Sequence, residues 1–163
     1  MKKQYVIALI VTFGVILLFS IIILLFNDIN MNEALEIRVP LITKREKVKL
    51  KNGDFFNEEE VIKIHLSNIQ MKTILNKVQK NKNWKNEKLD ERLKERLEFN
   101  TREGIFYQIP EIENYYWIFT NRSNGVDDKH SVDALLEDGM YYAISFGILD
   151  VDNNILYYYE YDK

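Results

Sequence analysis

Three hydrophobic patterns follow one another along the chain. Residues 6–26, VIALIVTFGVILLFSIIILLF, carry no charge, and 17 of these 21 are Val, Ile, Leu or Phe. As a helix the run spans roughly 31 Å, the thickness of a bilayer's hydrocarbon core, which predicts a single transmembrane helix. Residues 27–35 are polar and read as a juxtamembrane stalk. Ile37, Val39 and Leu41 then alternate with Arg38 and Pro40, predicting a short strand with the proline at an edge. Val48 and Leu50 alternate with lysines up to Asn52-Gly53, a dipeptide suited to a tight hairpin, with Phe55 and Phe56 in the return.

A helical pattern comes next. Asn57 followed by Glu60 has capping-box spacing, and the acids Glu58–Glu60 suit a helix N-terminus. The spacing predicts a helix to about Lys80, with Val61, Ile64, Met71, Leu75 and Val78 on one face and Ile62, Leu66 and Ile69 nearly opposite. Apolar on two sides, it needs cover on both. His65, between the stripes, reads as a packed or half-buried side chain rather than a ligand, since no second histidine lies nearby in sequence. Leu89, Leu93 and Leu97 repeat at four-residue spacing and predict a second, charged helix supported by the Asp90–Lys94 pair.

The last 60 residues alternate with period two. Ile105–Gln108, Tyr115–Asn121, Met140–Asp150 and Ile155–Tyr161 are aromatic and β-branched runs between turn formers, and nine of the ten tyrosines lie at or after Tyr107. The last two runs predict an antiparallel hairpin closed around Asp152-Asn153-Asn154. Ile155, Tyr157, Tyr159 and Tyr161 would face one way, and Leu156, Tyr158 and Glu160 the other. A polar loop over 121–130 and a helical turn near Ser131–Glu137 complete the pattern. The fold class is therefore α+β. An N-terminal transmembrane helix precedes a small domain whose antiparallel sheet, with its tyrosine-rich C-terminal hairpin, packs on one or two helices. The division is a cytoplasmic stub 1–5, an anchor 6–26, a stalk 27–35 and an extracytoplasmic domain 36–163.

Composition sharpens the membrane reading. Lys2 and Lys3 precede the apolar run, whereas all 25 acids follow it, leaving the remainder with 20 basic residues and a formal charge of −5. The positive-inside rule places the N-terminus in the cytoplasm and the domain outside. No small-residue pair of the A-x-A kind follows the run, so it reads as an uncleaved signal anchor in the cell membrane rather than a signal peptide. The acidic balance disfavours nucleic acid. The absence of cysteine removes disulfides, thiolate metal sites, thiol nucleophiles and a lipoprotein anchor.

Candidate chemistry is sparse. Asp127, Asp128, His130 and Asp133 form the acid–histidine cluster, where a catalytic or metal role stands against an ordinary solvated loop. Ser123 and Ser131 sit in no nucleophile-elbow pattern. Asn121-Arg122-Ser123 is a formal glycosylation triplet of a kind that also arises by chance. Asp150, Asp152 and Asn154 match the first three ligand positions of an EF-hand loop, but Ile155 stands where glycine is needed and Tyr161 where glutamate belongs, so a hairpin turn is expected. The five lysines of Lys77–Lys88, with Trp84 among them, could meet anionic lipid or wall polymer, or simply form a solvated connection. No cofactor or metal is expected.

The stretch ENYYWIFTNRSNGVDDKHS, followed by ISFGILDVDNNILYYYEYD, resembles small uncharacterised proteins of Gram-positive bacteria. The likeness covers the C-terminal third and extends to the NWK…L…L segment before it. It implies the terminal hairpin and no activity. The functional expectation is a membrane-anchored binding or accessory module, immunity-like or envelope-associated. It would be held in the bilayer by 6–26 and meet a protein partner near the membrane. The competing expectation is an envelope hydrolase using the Asp127–Asp133 loop.

Overall fold

The computed structural model describes residues 11–16, 29–50, 59–91, 93–94, 109, 111–123, 128–132 and 143–161. A helix α1 over 29–35 comes first, then β1 (Lys44–Leu50), β2 (Glu59–His65), α2 (Asn68–Val78), β3 (Tyr115–Asn121), β4 (Ile144–Asp150) and β5 (Ile155–Tyr161). The strands make one sheet in the order β1-β2-β5-β4-β3, every neighbouring pair antiparallel. Two hairpin units meet in its middle. β1–β2 comes from the front of the domain and β3–β4–β5 from the back, and β5 inserts beside β2. The domain is thus α+β with an antiparallel sheet.

Both faces of the sheet are buried. On one, Ile62, Ile64, Ile118, Leu149, Leu156 and Tyr158 meet Met31, Ala34 and Leu35 of α1, Met71, Ile74 and Val78 of α2, and Trp84. On the other, Trp117, Phe119, Phe146, Ile148, Ile155 and Tyr157 pack with Leu89, Leu93, Ile109 and Val132. The tyrosine alternation predicted for the last strand holds: Leu156 and Tyr158 enter the first cluster, Ile155 and Tyr157 the second, with Tyr159 against it. Tilted ring pairs, Trp117–Phe146 at 6.2 Å and Phe146–Tyr159 at 5.6 Å, knit the second face across β3, β4 and β5.

The predicted β4–β5 hairpin is present, joined by 151–154. Asp150 is buried, and its carboxylate accepts from the Asn153 backbone N–H at 3.0 Å and from Asn153 Nδ2 at 2.9 Å. Asn154 takes a φ of 55°, which Asn tolerates better than most residues. Asp152 instead accepts from Asn114 Nδ2 at 3.1 Å. Asp150 and Asp152 serve the turn and its neighbour.

The helix predicted from Asn57 does not start there. Residues 59–65 are strand β2, and α2 begins only at Asn68. Val61, Ile62 and Ile64 are β-branched and fit a pleated surface, so Ile62, Ile64 and Leu66 enter the core at period two. The true capping box is Ser67 with Gln70. Gln70 N–H donates to Ser67 Oγ at 3.3 Å, and Ser67 N–H donates to Gln70 Oε1 at 2.8 Å. Ile69, expected on an apolar stripe, is 80% exposed.

Two further expectations near the start are corrected. The stretch read as a stalk, 27–35, is helical from Ile29 and carries Met31, Ala34 and Leu35 into the core. Residues 37–41 form no strand. Ile37 and Val39 are buried but Leu41, the third member of the alternation, is 61% exposed, and the Val39 N–H donates to Asn32 Oδ1 at 2.7 Å instead of to a neighbouring strand. Residues 91, 93 and 94 of the second predicted helix are helical, with Leu89 and Leu93 buried.

Of the apolar run 6–26, residues 11–16 are described and helical. Among the described residues no helix is long and apolar enough to cross a membrane. The Asn52-Gly53 turn, Phe55 and Phe56, the run Ile105–Gln108, Leu97 and most of Ser131–Glu137 lie outside the described residues.

Candidate functional site

His130, the one histidine of the predicted acid cluster, is the centre of a polar network at the end of α1. The helix stops at Glu36, whose φ of 52° turns the chain out of the helical path. That turn aims the carboxylate at two other segments. Glu36 Oε2 accepts from Asn81 Nδ2 at 3.0 Å and from Asn83 Nδ2 at 2.8 Å, both in the turns after α2. Glu36 Oε1 lies 3.0 Å from His130 Nε2, in the loop after β3. The other ring nitrogen, Nδ1, lies 2.7 Å from the Phe119 carbonyl oxygen.

Both ring nitrogens of His130 therefore face acceptors. Only a doubly protonated ring donates to both, while a neutral ring serves one of them. Burial pushes the Glu36 carboxyl up, but the hydrogen bonds from Asn81 and Asn83 and the charge and hydrogen bond of His130 outweigh it. Glu36 is held below the ordinary glutamate value. The Glu36 carboxylate is thus weakened as a base, and both nitrogens of the His130 ring are turned towards protein acceptors. Nearby hydroxyls are also engaged. Thr120 Oγ1 donates to the Ala34 carbonyl at 2.7 Å, and Ser123 Oγ accepts from the Ala143 N–H at 3.2 Å. Chemically the group is a latch that ties α1, the turns after α2 and the β3–β4 connection together.

Glu36 and His130 also line a cleft of about 370 Å³, together with Asn30, Glu33, Thr120, Arg122 and Lys129. Arg122 Nη1 pairs with Glu160 Oε1 at 2.8 Å. A second cavity, about 360 Å³, opens on the far face of the sheet. There Lys88, Glu91, Lys94 and Glu111 surround an apolar floor that includes Ile109, Ile112 and Ile148.

Of the predicted site residues, Asp128 and His130 are described. Asp128 Oδ1 accepts from the His130 backbone N–H at 3.0 Å, a local turn rather than a contact with the ring. Asp127 and Asp133 lie outside the described residues. Among the described residues no group of three or more His, Asp or Glu side chains is placed to hold a metal ion. Glu36, which the His130 ring meets, and Asn81 and Asn83, which meet Glu36 in turn, carried no motif. A glutamate at the end of an unexpected helix and two asparagines among lysines give no sequence signal of convergence.

The lysine-rich stretch 77–88 is tied to the fold. Trp84 is buried and donates its indole N–H to the Leu35 carbonyl at 2.8 Å. Lys85 and Trp117 exchange both backbone hydrogen bonds at 2.8 Å, covering the outer edge of β3, and Lys85 Nζ sits 4.8 Å from the Trp117 ring centre. Lys88 pairs with Glu91 at 2.6 Å. Comparison with known proteins finds no match, whether among family models, curated proteins or solved structures.

Proposed function

We propose that the chain is a single-pass membrane protein. Residues 6–26 anchor it, its N-terminus lies in the cytoplasm, and its α+β domain is an extracytoplasmic binding or accessory module that meets another protein near the membrane. One observation carries the reading. In the described part of the apolar run, Val11, Phe13, Val15 and Ile16 are helical and 49–67% exposed, so these side chains are not sheltered by the domain. A wholly apolar helix without a protein cover has its natural solvent in lipid.

α1 supports the same reading. It starts three residues after Phe26 and is itself a core element, so an anchor at 6–26 would hold the domain close to the bilayer. The closed hydrogen bonding of Glu36 and His130 favours a binding role over hydrolysis.

The chain has no cysteine, so one introduced thiol reports on one place. Lys129→Cys, at an exposed position of the β3–β4 connection, is expected to react with a membrane-impermeant maleimide in intact cells. Lys3→Cys is expected to react only after the membrane is opened. Labelling of Lys129→Cys solely after lysis would place the domain in the cytoplasm and overturn the orientation. Recovery of the full-length chain in the soluble fraction would overturn the anchor.

A further inference from the structure

We infer that the groove formed by Ile29, Leu41 and Ile42 is a lipid-seating face, which lays one side of the domain into the membrane interface. The inference rests on the anchoring proposed above and adds a second contact with the bilayer. Ile29 is 55% exposed, Leu41 61% and Ile42 91%, and the neighbouring Ile69 on α2 is 80% exposed. Apolar exposure concentrated on one side of a small domain marks a contact surface. Ile29, Leu41 and Ile42 line a single groove of about 750 Å³ on the α1–α2 side of the sheet. Gln70 Nε2 donates to the Ile42 carbonyl at 2.9 Å, fixing this turn against the start of α2 beside Ile69.

Two observations select lipid as the occupant. The first is distance. Ile29 is the third residue after Phe26, so even a fully extended chain keeps it within about 11 Å of the end of the apolar run. That is the depth of the headgroup and upper acyl zone in which interfacial apolar side chains settle. The second is charge. Arg38 and Lys77 line the groove, and among the described residues no Asp or Glu does. Long cationic side chains at the rim of an apolar surface reach phosphate while their stems stay in contact with apolar groups. With this face seated, the opposite face of the sheet and its cavity are left for a partner.

The test uses the full chain in vesicles of phosphatidylcholine with 30% phosphatidylglycerol. Single cysteines at Ile42, Gly14 and Glu111 each carry a nitrobenzoxadiazole fluorophore, and lipid-borne nitroxides act as quenchers. Ile42 is open to solvent, a side chain at Gly14 meets nothing within 4 Å, and Glu111 is exposed beside the cavity on the far face. A headgroup-level nitroxide is expected to quench the Ile42 probe roughly three-fold more than the Glu111 probe, as fits a side chain at the interface. A deep nitroxide is expected to quench Gly14. Quenching at Gly14 with Ile42 no stronger than Glu111 would overturn the lipid-seating face and leave the anchor standing. Absence of quenching at Gly14 would overturn both. An Ile42 probe untouched by lipid but increasingly shielded from iodide as the protein-to-lipid ratio rises would give the groove to a second copy of the chain.

Discussion

Leu35 of α1 occupies the space that a side chain at Gly147 of β4 would fill. A Cβ built on Gly147 would overlap the Leu35 Cδ2 methyl and would lie 3.1 Å from Ile118 Cγ2 and 3.4 Å from Trp84 Cη2. Leu35 is fully buried, so its methyl has nowhere open to move. The glycine is there because a helix sits directly on the strand.

Gly147→Ala is accordingly expected to destabilise the domain by about 1–3 kcal/mol through overpacking. Denaturant unfolding followed by tryptophan fluorescence checks it, since Trp84 and Trp117 are both buried on folding. Pairing Gly147→Ala with Leu35→Ala tests the mechanism. The double variant is expected to lose less stability than the sum of the singles, because the smaller residue 35 relieves the crowding and the methyl at 147 partly fills the cavity left by Leu35. An unchanged midpoint for Gly147→Ala would mean that α1 does not press on the sheet.

The C-terminal hairpin was legible in the sequence because every level agreed. Its alternation, β-branched and aromatic content and turn residues all point to the same structure. The onset of α2 was not, because Asn57 and the acids after it imitate a helix start, whereas Val61–Ile64 belong to a strand and Ser67–Gln70 hold the true cap. The polar look of residues 27–35 hid Met31, Ala34 and Leu35, which fall on one helical face. The isolated Gly147 inside ISFGILD carried the missing signal, since a glycine within a strand often marks the close approach of another element. The latch was beyond the sequence. Glu36 and His130 stand 94 positions apart, and only the assembled sheet brings them together.

β5, the last of the described strands along the chain, lies in the middle of the sheet, which sets a second expectation. β5 pairs with β2 on one side and β4 on the other, and it supplies Leu156 and Tyr158 to one core and Ile155 and Tyr157 to the other. Removing Leu156–Lys163 leaves β1–β2 and β3–β4 with no strand between them and two unpaired inner edges. A two-stranded hairpin does not hold together alone. The truncated chain is expected to lose cooperative thermal unfolding altogether. A truncation that still melts in one transition at the original temperature would show that the two hairpin units are held by their helices rather than by β5.

The Glu36 latch makes stability depend on pH in a stated direction. The folded-state carboxyl lies below the ordinary value of 4.5 despite burial, owing to Asn81, Asn83 and His130. A depressed carboxyl stabilises the fold above its unfolded value, and that stability is lost as pH falls through the lower folded value. Glu36→Gln removes the charge but keeps the shape, and its amide nitrogen brings a donor where the carboxylate offered only acceptors. At pH 7 the variant is expected to unfold about 1–2 kcal/mol more easily, the range for charge-assisted hydrogen bonds at a partly exposed site. As pH falls from 4.5 through the lower folded-state value the wild-type carboxylate is itself protonated, so the gap between the two proteins is expected to narrow. Urea midpoints of both proteins at pH 7 and at progressively lower pH down to 3 measure the gap directly, and the comparison cancels the other carboxylates that titrate in both. A gap that stays constant across this range would make Glu36 a packing residue, and equal midpoints at pH 7 would mean that its three donors contribute nothing to the fold.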